Sequence, residues 1–271
     1  MSDPSATPVP AATRVVDGAP AGAPVLVMVH GATQDQRTFA AQVSAFAPRF
    51  RLVLVDLPGH GGSSAQRGPF DFETYFGAVL AALDALGIEQ FHYFGTHTGA
   101  GVGLLLLARQ AQRVRTAVLE GPVLPDAALP SVVTAQGEAR TVARIGGVPA
   151  ARAHWFETAP FFRVMREEPV RCRAAGQRAI IDSYNGSLWL DKTPARTPSF
   201  DLDDVARAAH PVLILNGAGD VPDFLELAAR ITPRIPSARH QILDGGGGFP
   251  HWEVPEAVNS AVLQFLEETG A

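Results

Sequence analysis

Histidines and carboxylates at the ends of short apolar runs carry the chemistry this sequence has to offer. His97 stands at the centre of Gly95-Thr96-His97-Thr98-Gly99, after the run Phe91–Gly95 and before a helical pattern. Asp220 follows Pro211–Gly217, Glu120 lies in Ala117–Gly121, and His251 comes soon after the glycine run Gly245–Gly248. A carboxylate beside an imidazole fixes its tautomer and raises its basicity, so these residues support general-base chemistry if the fold brings them together. Other chemistries lack their spacing. There is no H-x-x-x-H pair and no Cys/His cluster, so no metal is expected. Gly99, Gly101 and Gly103 alternate instead of following G-x-G-x-x-G, so no dinucleotide or other cofactor is expected.

These residues must be positioned by the elements around them. Val25–His30, Arg51–Asp56, Phe91–Gly95, Ala117–Gly121, Pro211–Gly217 and Arg239–Gly245 read as strands. Helical patterns lie at about 36–48, 72–86, 98–110, 222–233 and 255–268. Strands apolar on both faces, alternating with helices, predict an α/β fold with a mostly parallel sheet covered on both sides. In such sheets ligands bind beyond the carboxyl ends of the strands, which is where His97, Glu120 and Asp220 fall. Residues 122–209 break the alternation and read as a helical cap inserted between two strands. The core is then 13–121 with 210–271, and the Ser-, Ala- and Pro-rich residues 1–12 read as a flexible tail. The cap aromatics Trp155, Phe161, Phe162, Tyr184 and Trp189 are candidates for a substrate pocket, against the plainer alternative that they pack the cap's own core.

Taken together, the His-Gly after the first run, the segment Asp56-Leu57-Pro58-Gly59-His60-Gly61-Gly62-Ser63 and the strand–G-x-x-x-G–helix turn resemble the α/β-hydrolase fold superfamily. The resemblance runs from about Ala23 to the end. It implies a sharp turn that lifts a nucleophile above the sheet, and an oxyanion hole made by two backbone amides, here those of Ala32 and Thr98. It also implies a serine at the apex of the turn, where this sequence has His97. A histidine is implied five residues before the glutamate that leads into x-Pro and the last helix. Glu253 and Pro255 set that register, and the position holds Gly248, with His251 the nearest histidine. The acid is implied at Asp220 or at Glu120. The two departures suggest a compensation. The His97 ring, longer than serine, is expected to enter the space beside Gly248 and reach Asp220 or Glu120, forming a His–carboxylate dyad. Asp220 also suits the start of the following helix as a cap. His30 and His60 are expected to hold loops by hydrogen bonds.

Composition limits the partners. The chain has 271 residues and a net charge of -5, which gives no footprint for nucleic acid or an anionic membrane. The longest apolar stretch, Ala100 to Ala108, is far short of the ~20 residues a membrane span needs. The first residues have neither a basic start nor an apolar core, and a cytoplasmic protein is expected. Its partner should be a small molecule. The expected activity is hydrolysis of a small apolar or aromatic ester or lactone, with His97 as general base or nucleophile. The alternatives are proton abstraction in a lyase, isomerase or cyclase, and a ligand-binding homologue without catalysis.

Overall fold

The computed structural model describes residues 8–68, 70–167, 169–191 and 197–270. Seven strands form one sheet in the order β1-β3-β2-β4-β5-β6-β7. They are β1 (Ala12–Val16), β2 (Val25–Val29), β3 (Arg51–Asp56), β4 (Phe91–Thr96), β5 (Val114–Glu120), β6 (Val212–Gly217) and β7 (Ala238–Leu243). The pairing of β1 with β3 is antiparallel and every other pairing is parallel. Outside the cap lie α1 (Ala40–Phe46), α2 (Phe72–Ala85) and α3 (Thr98–Arg109). The cap holds α4 (Pro130–Thr158), α5 (Ala174–Ile181), α6 (Ser187–Leu190) and α7 (Leu202–Ala208), and is followed by α8 (Pro222–Ile231), α9 (Pro250–Glu253) and α10 (Pro255–Glu268).

Strand alternation explains why the central runs are apolar throughout. In β2, Val27 and Val29 face the helices α2, α3, α7 and α8, while Leu26 and Met28 face α1 and α10. Both faces exclude water, so each such side chain contributes roughly 1.5–3 kcal/mol of burial. The edge strand β1 (ATRVV) is only half-buried, so its polar-interrupted pattern gives no clear strand signal in the sequence. Residues 8–12 correct the expectation of a flexible tail. Ala11 is buried and its amide donates to the Ala78 carbonyl, Ala12 N–H donates to Ser63 Oγ, and the Gln66 side chain donates to the Pro10 carbonyl. The expected tail residues 1–7 lie outside the described residues.

Between β5 and β6 the described chain is helical or irregular. The 29-residue α4 is bent at Gly147, whose φ of 78° is outside the helical region and is followed closely by Pro149. The cap has its own apolar cluster, built on Trp155, Phe156, Phe162, Met165 and Trp189, and it reaches Phe224 and Phe249 of the core. Among the described residues no helix is long and apolar enough to cross a membrane.

The turn from β4 into α3 depends on close backbone contact. A Cβ on Gly99 would lie 2.0 Å from the Val29 carbonyl oxygen, and one on Gly95 would lie 2.5 Å from the Gly99 carbonyl. Neither neighbour is a flexible side-chain tip that can move aside. Gly99→Ala is therefore expected to cost about 3 kcal/mol or more, by forcing β2 and α3 apart. Urea denaturation of the purified variant checks this, and a loss below about 1 kcal/mol contradicts it.

Candidate active site

His97 joins β4 to α3 with φ 48° and ψ -108°, a conformation that costs a residue with a Cβ of order 1–3 kcal/mol. The turn is held by His97 N–H to the Glu120 carbonyl (2.8 Å), Gly99 N–H to the His30 carbonyl (3.1 Å) and Gly101 N–H to the His97 carbonyl (2.9 Å). Tyr93 adds a hydroxyl bond to the Gly99 carbonyl at 2.6 Å. The imidazole is lifted off the end of the sheet as the turn chemistry predicts. It is bracketed by Phe224 and Phe249, with ring centroids 5.2 and 4.7 Å away.

The neighbouring loop supplies the second wall. A Cβ at Gly31 would stand 3.1 Å from His97 Cβ, so glycine lets the loop after β2 close on the turn. Two neutral histidines brace that loop. His30 donates from Nδ1 to the Gly31 carbonyl and accepts the Leu57 amide at Nε2. His60 donates from Nδ1 to the Pro58 carbonyl and accepts the Thr33 amide at Nε2. Burial pushes His60 down to about 3 and lowers His30, so both stay neutral at ordinary pH. Ala32 and Thr98 face the same cavity as His97, and among the described residues neither backbone amide finds a protein acceptor.

The dyad expected of His97 is not formed. Its Nε2–H donates to the Gly248 carbonyl at 2.7 Å, and Nδ1 has no hydrogen-bond partner among the described residues. Burial lowers its pKa to about 4; the Gly248 bond opposes that shift and the nearby His251 adds to it. Asp220 instead accepts from Asn216 Nδ2 (2.8 Å) and from the Val221 amide (2.7 Å) at the start of α8. Burial raises its carboxyl to about 7, with those two bonds acting against the rise. The ring's partner is instead a backbone carbonyl, a group that residue types do not reveal.

His251 and Glu120 are brought together, but away from the cavity. His251 Nδ1–H donates to Glu120 Oε1 at 2.5 Å, its backbone N–H donates to Oε2 at 3.0 Å, and its Nε2 pairs with the Thr38 hydroxyl at 2.7 Å. Both side chains are fully buried, and neither lines the cavity. This pair pins the last loop to the end of β5 and is not placed to touch a substrate, which corrects its expected catalytic role.

The space expected to open beside Gly248 is filled by the cap. A Cβ there would lie 2.5 Å from the Phe161 carbonyl oxygen and 2.9 Å from Phe161 Cβ. The cavity, about 360 Å³, lies between cap and core and is mainly apolar. Of the five aromatics expected to line it, Trp155 and Phe161 do. Phe162, Tyr184 and Trp189 do not. Phe162 stacks on Phe249, Tyr184 stacks on His60, and Trp189 packs behind Trp155. Phe224, Phe249, Val123, Leu129 and Val132 line it without having been anticipated. Of these, Phe249 and Phe224 follow strand ends closely, which is the signal that could have found them. The cap ties to the core through Trp155 Nε1–H to Thr33 Oγ1 (3.0 Å). Among the described residues, no group of three or more His, Cys, Asp or Glu side chains is placed to hold a metal ion.

Because Gly248 touches backbone, Gly248→Ala is expected to destabilise the protein by about 1–3 kcal/mol in urea denaturation. Gly248→His should lower the melting temperature further. The double variant His97→Ser with Gly248→His should remain unlabelled by a fluorophosphonate, because the imidazole cannot enter the space Phe161 occupies. Strong labelling of that variant would contradict this steric account.

Comparison with known proteins bears on the fold and the family. The family model described as alpha/beta hydrolase fold matches residues 24–255. The chain is 28% identical over 263 residues to a putative carbamate hydrolase, RutD, of Caulobacter sp. (strain K31), covering 94% of this chain and 96% of that protein. It is 23% identical to carboxylesterase YbfK of Bacillus subtilis (strain 168), covering 94% and 84%. The crystal structure of an enol-lactonase from Burkholderia xenovorans LB400 superposes with a TM-score of 0.79 at 26% identity, covering 94% of this chain and 96% of that one. With that model matching most of the chain and a cap set over one end of the parallel sheet, the chain belongs to the α/β-hydrolase fold family.

Proposed function

We propose that the protein is an enzyme of hydrolase type acting on a small apolar or aromatic carbonyl compound, an ester or lactone, with Nδ1 of His97 as the reacting base or nucleophile. One observation carries the reading. The His97 ring is anchored through Nε2–H, and it shares a cavity wall with Ala32 and Thr98; among the described residues its Nδ1 and those two amides have no partner. The relatives named as a carbamate hydrolase and a carboxylesterase, and the structure named as an enol-lactonase, support carbonyl chemistry of this kind.

The steps follow from the geometry. A carbonyl oxygen directed at the two amides is polarised, and negative charge developing on it is stabilised there. As base, Nδ1 takes a proton from water while the water oxygen bonds to the carbonyl carbon. The tetrahedral oxyanion then collapses, and the leaving alkoxide takes the proton back from Nδ1. As nucleophile, Nδ1 bonds to that carbon itself as the ester C–O bond breaks; the departing alkoxide takes a proton from water, and the hydroxide so formed bonds to the acyl carbon and releases the carboxylic acid from the ring. In both courses the positive charge on the ring is met by the Gly248 carbonyl through Nε2–H. The apolar walls of Trp155, Phe161, Phe224 and Phe249 favour a hydrophobic or aromatic substrate.

The same Nδ1 can instead abstract a proton next to a bound carbonyl, with the amides holding the enolate. Residue identity at the apex favours keeping this second course in view, since His97 brings no hydroxyl or thiol to the turn.

A panel of aryl esters and lactones tests the proposal. Wild type should turn over at least one of them, and His97→Ala should lose about 10²–10⁴-fold in kcat/KM. A variant as active as wild type removes His97 from the chemistry. If only deuterium exchange into a carbonyl compound depends on His97, the proton-abstraction course holds. Ligand-induced stabilisation with neither activity marks a binding protein. The pH dependence has a definite sign. The active ring is neutral and titrates near about 4, so kcat/KM should stay level from pH 8 to about 5 and fall as pH drops through 4. A loss centred near 6.5, the value of a free imidazole, would contradict the buried, neutral ring.

A further inference from the structure

We propose that Glu253 is a positioning residue that sets the tautomer of His97, through the peptide bond between Gly248 and Phe249. The inference rests on the reading of His97 as the reacting group and names what orients it. Oε2 of Glu253 accepts the amides of Gly247 (2.5 Å) and Phe249 (3.2 Å), which stand on either side of Gly248. The Gly248 carbonyl and the Phe249 N–H belong to one planar trans peptide and point in opposite directions. Holding that N–H on Glu253 turns the carbonyl the other way, onto His97 Nε2 at 2.7 Å. A carbonyl only accepts, so Nε2 must carry the hydrogen and Nδ1 the lone pair.

The grip matters because of where it acts. Residues 245–248 are all glycine, a run whose peptides rotate easily. Other bonds hold its earlier part. Gly219 N–H donates to the Gly246 carbonyl and Ala218 N–H donates to the Leu243 carbonyl, and neither reaches the peptide after Gly248. Glu253 is almost fully buried, and among the described residues its Oε1 has no hydrogen-bond partner. The hydrogen bonds its side chain makes therefore go to this loop.

Nuclear magnetic resonance of 15N-histidine-labelled protein, without substrate, reads the tautomer directly. The His97 signals are those lost in His97→Asn. Wild type should show Nε2 protonated and Nδ1 unprotonated. Glu253→Gln keeps an oxygen for both amides and should preserve that pattern. Glu253→Ala and Glu253→Asp should replace it with a mixture or with the Nδ1–H form. Two results overturn the proposal: an Nδ1–H ring in wild type, or a folded Ala or Asp variant that keeps the ring wholly Nε2–H. If one of those variants does not fold, the other and the wild-type spectrum decide. Failure of the ester and lactone panel leaves this readout intact, so the two ideas fail separately.

Discussion

The backbone of His97 is the constraint on which the site depends. A residue with a Cβ is held at φ 48° where β4 meets α3, and the surrounding structure over-determines it. Hydrogen bonds come from β5 and from the loop after β2, and the flanking glycines permit contacts no other residue would. Several consequences follow at once. The side chain leaves the sheet at its carboxyl end, α3 begins at Thr98, and Ala32 and Thr98 share a cavity wall with the imidazole. A relaxed turn would dissolve all of these together. Strain of roughly 1–3 kcal/mol is small beside the burial the two apolar clusters provide, so the fold can sustain it.

The cap turns that exposed corner into an interior. Phe161, Trp155 and the core rings Phe224 and Phe249 remove the His97 imidazole from water, and this dryness is what keeps it neutral. The same interior acts on the acids. Burial lifts Asp220 to about 7 and Glu253 to about 8, so neither is obliged to carry a charge beside the cavity. Glu120 accepts the Nδ1–H and the backbone N–H of His251. The polar groups around the turn are therefore arranged mainly as neutral donors and acceptors with directed bonds, and direction counts for more here than net charge.

Much of this was legible in residue types, for physical reasons. Strands buried on two faces must be apolar throughout, so β2 to β6 announce themselves, whereas half-buried β1 does not. The turn at His97 was legible because close backbone approach demands glycine at 95 and 99. The partner of the imidazole was not. Asp220 and Glu120 were plausible because sequence reveals side chains, and the group that took the bond is a main-chain carbonyl whose direction depends on a peptide rotation. Cap aromatics failed in a similar way. The bend at Gly147 and the short helical turns after it decide whether Phe161 or Phe162 faces the cavity, and adjacent phenylalanines carry no mark to separate them.

Gly248 also acts as a spacer between two groups that line the cavity. A Cβ on it would stand 2.5 Å from the Phe161 carbonyl oxygen, and its own carbonyl accepts from His97 Nε2. Phe161 and His97 both line the cavity, so the thickness of one stretch of main chain sets how far apart they stand. The width of the cavity at that end is therefore gauged by backbone and not by side-chain size.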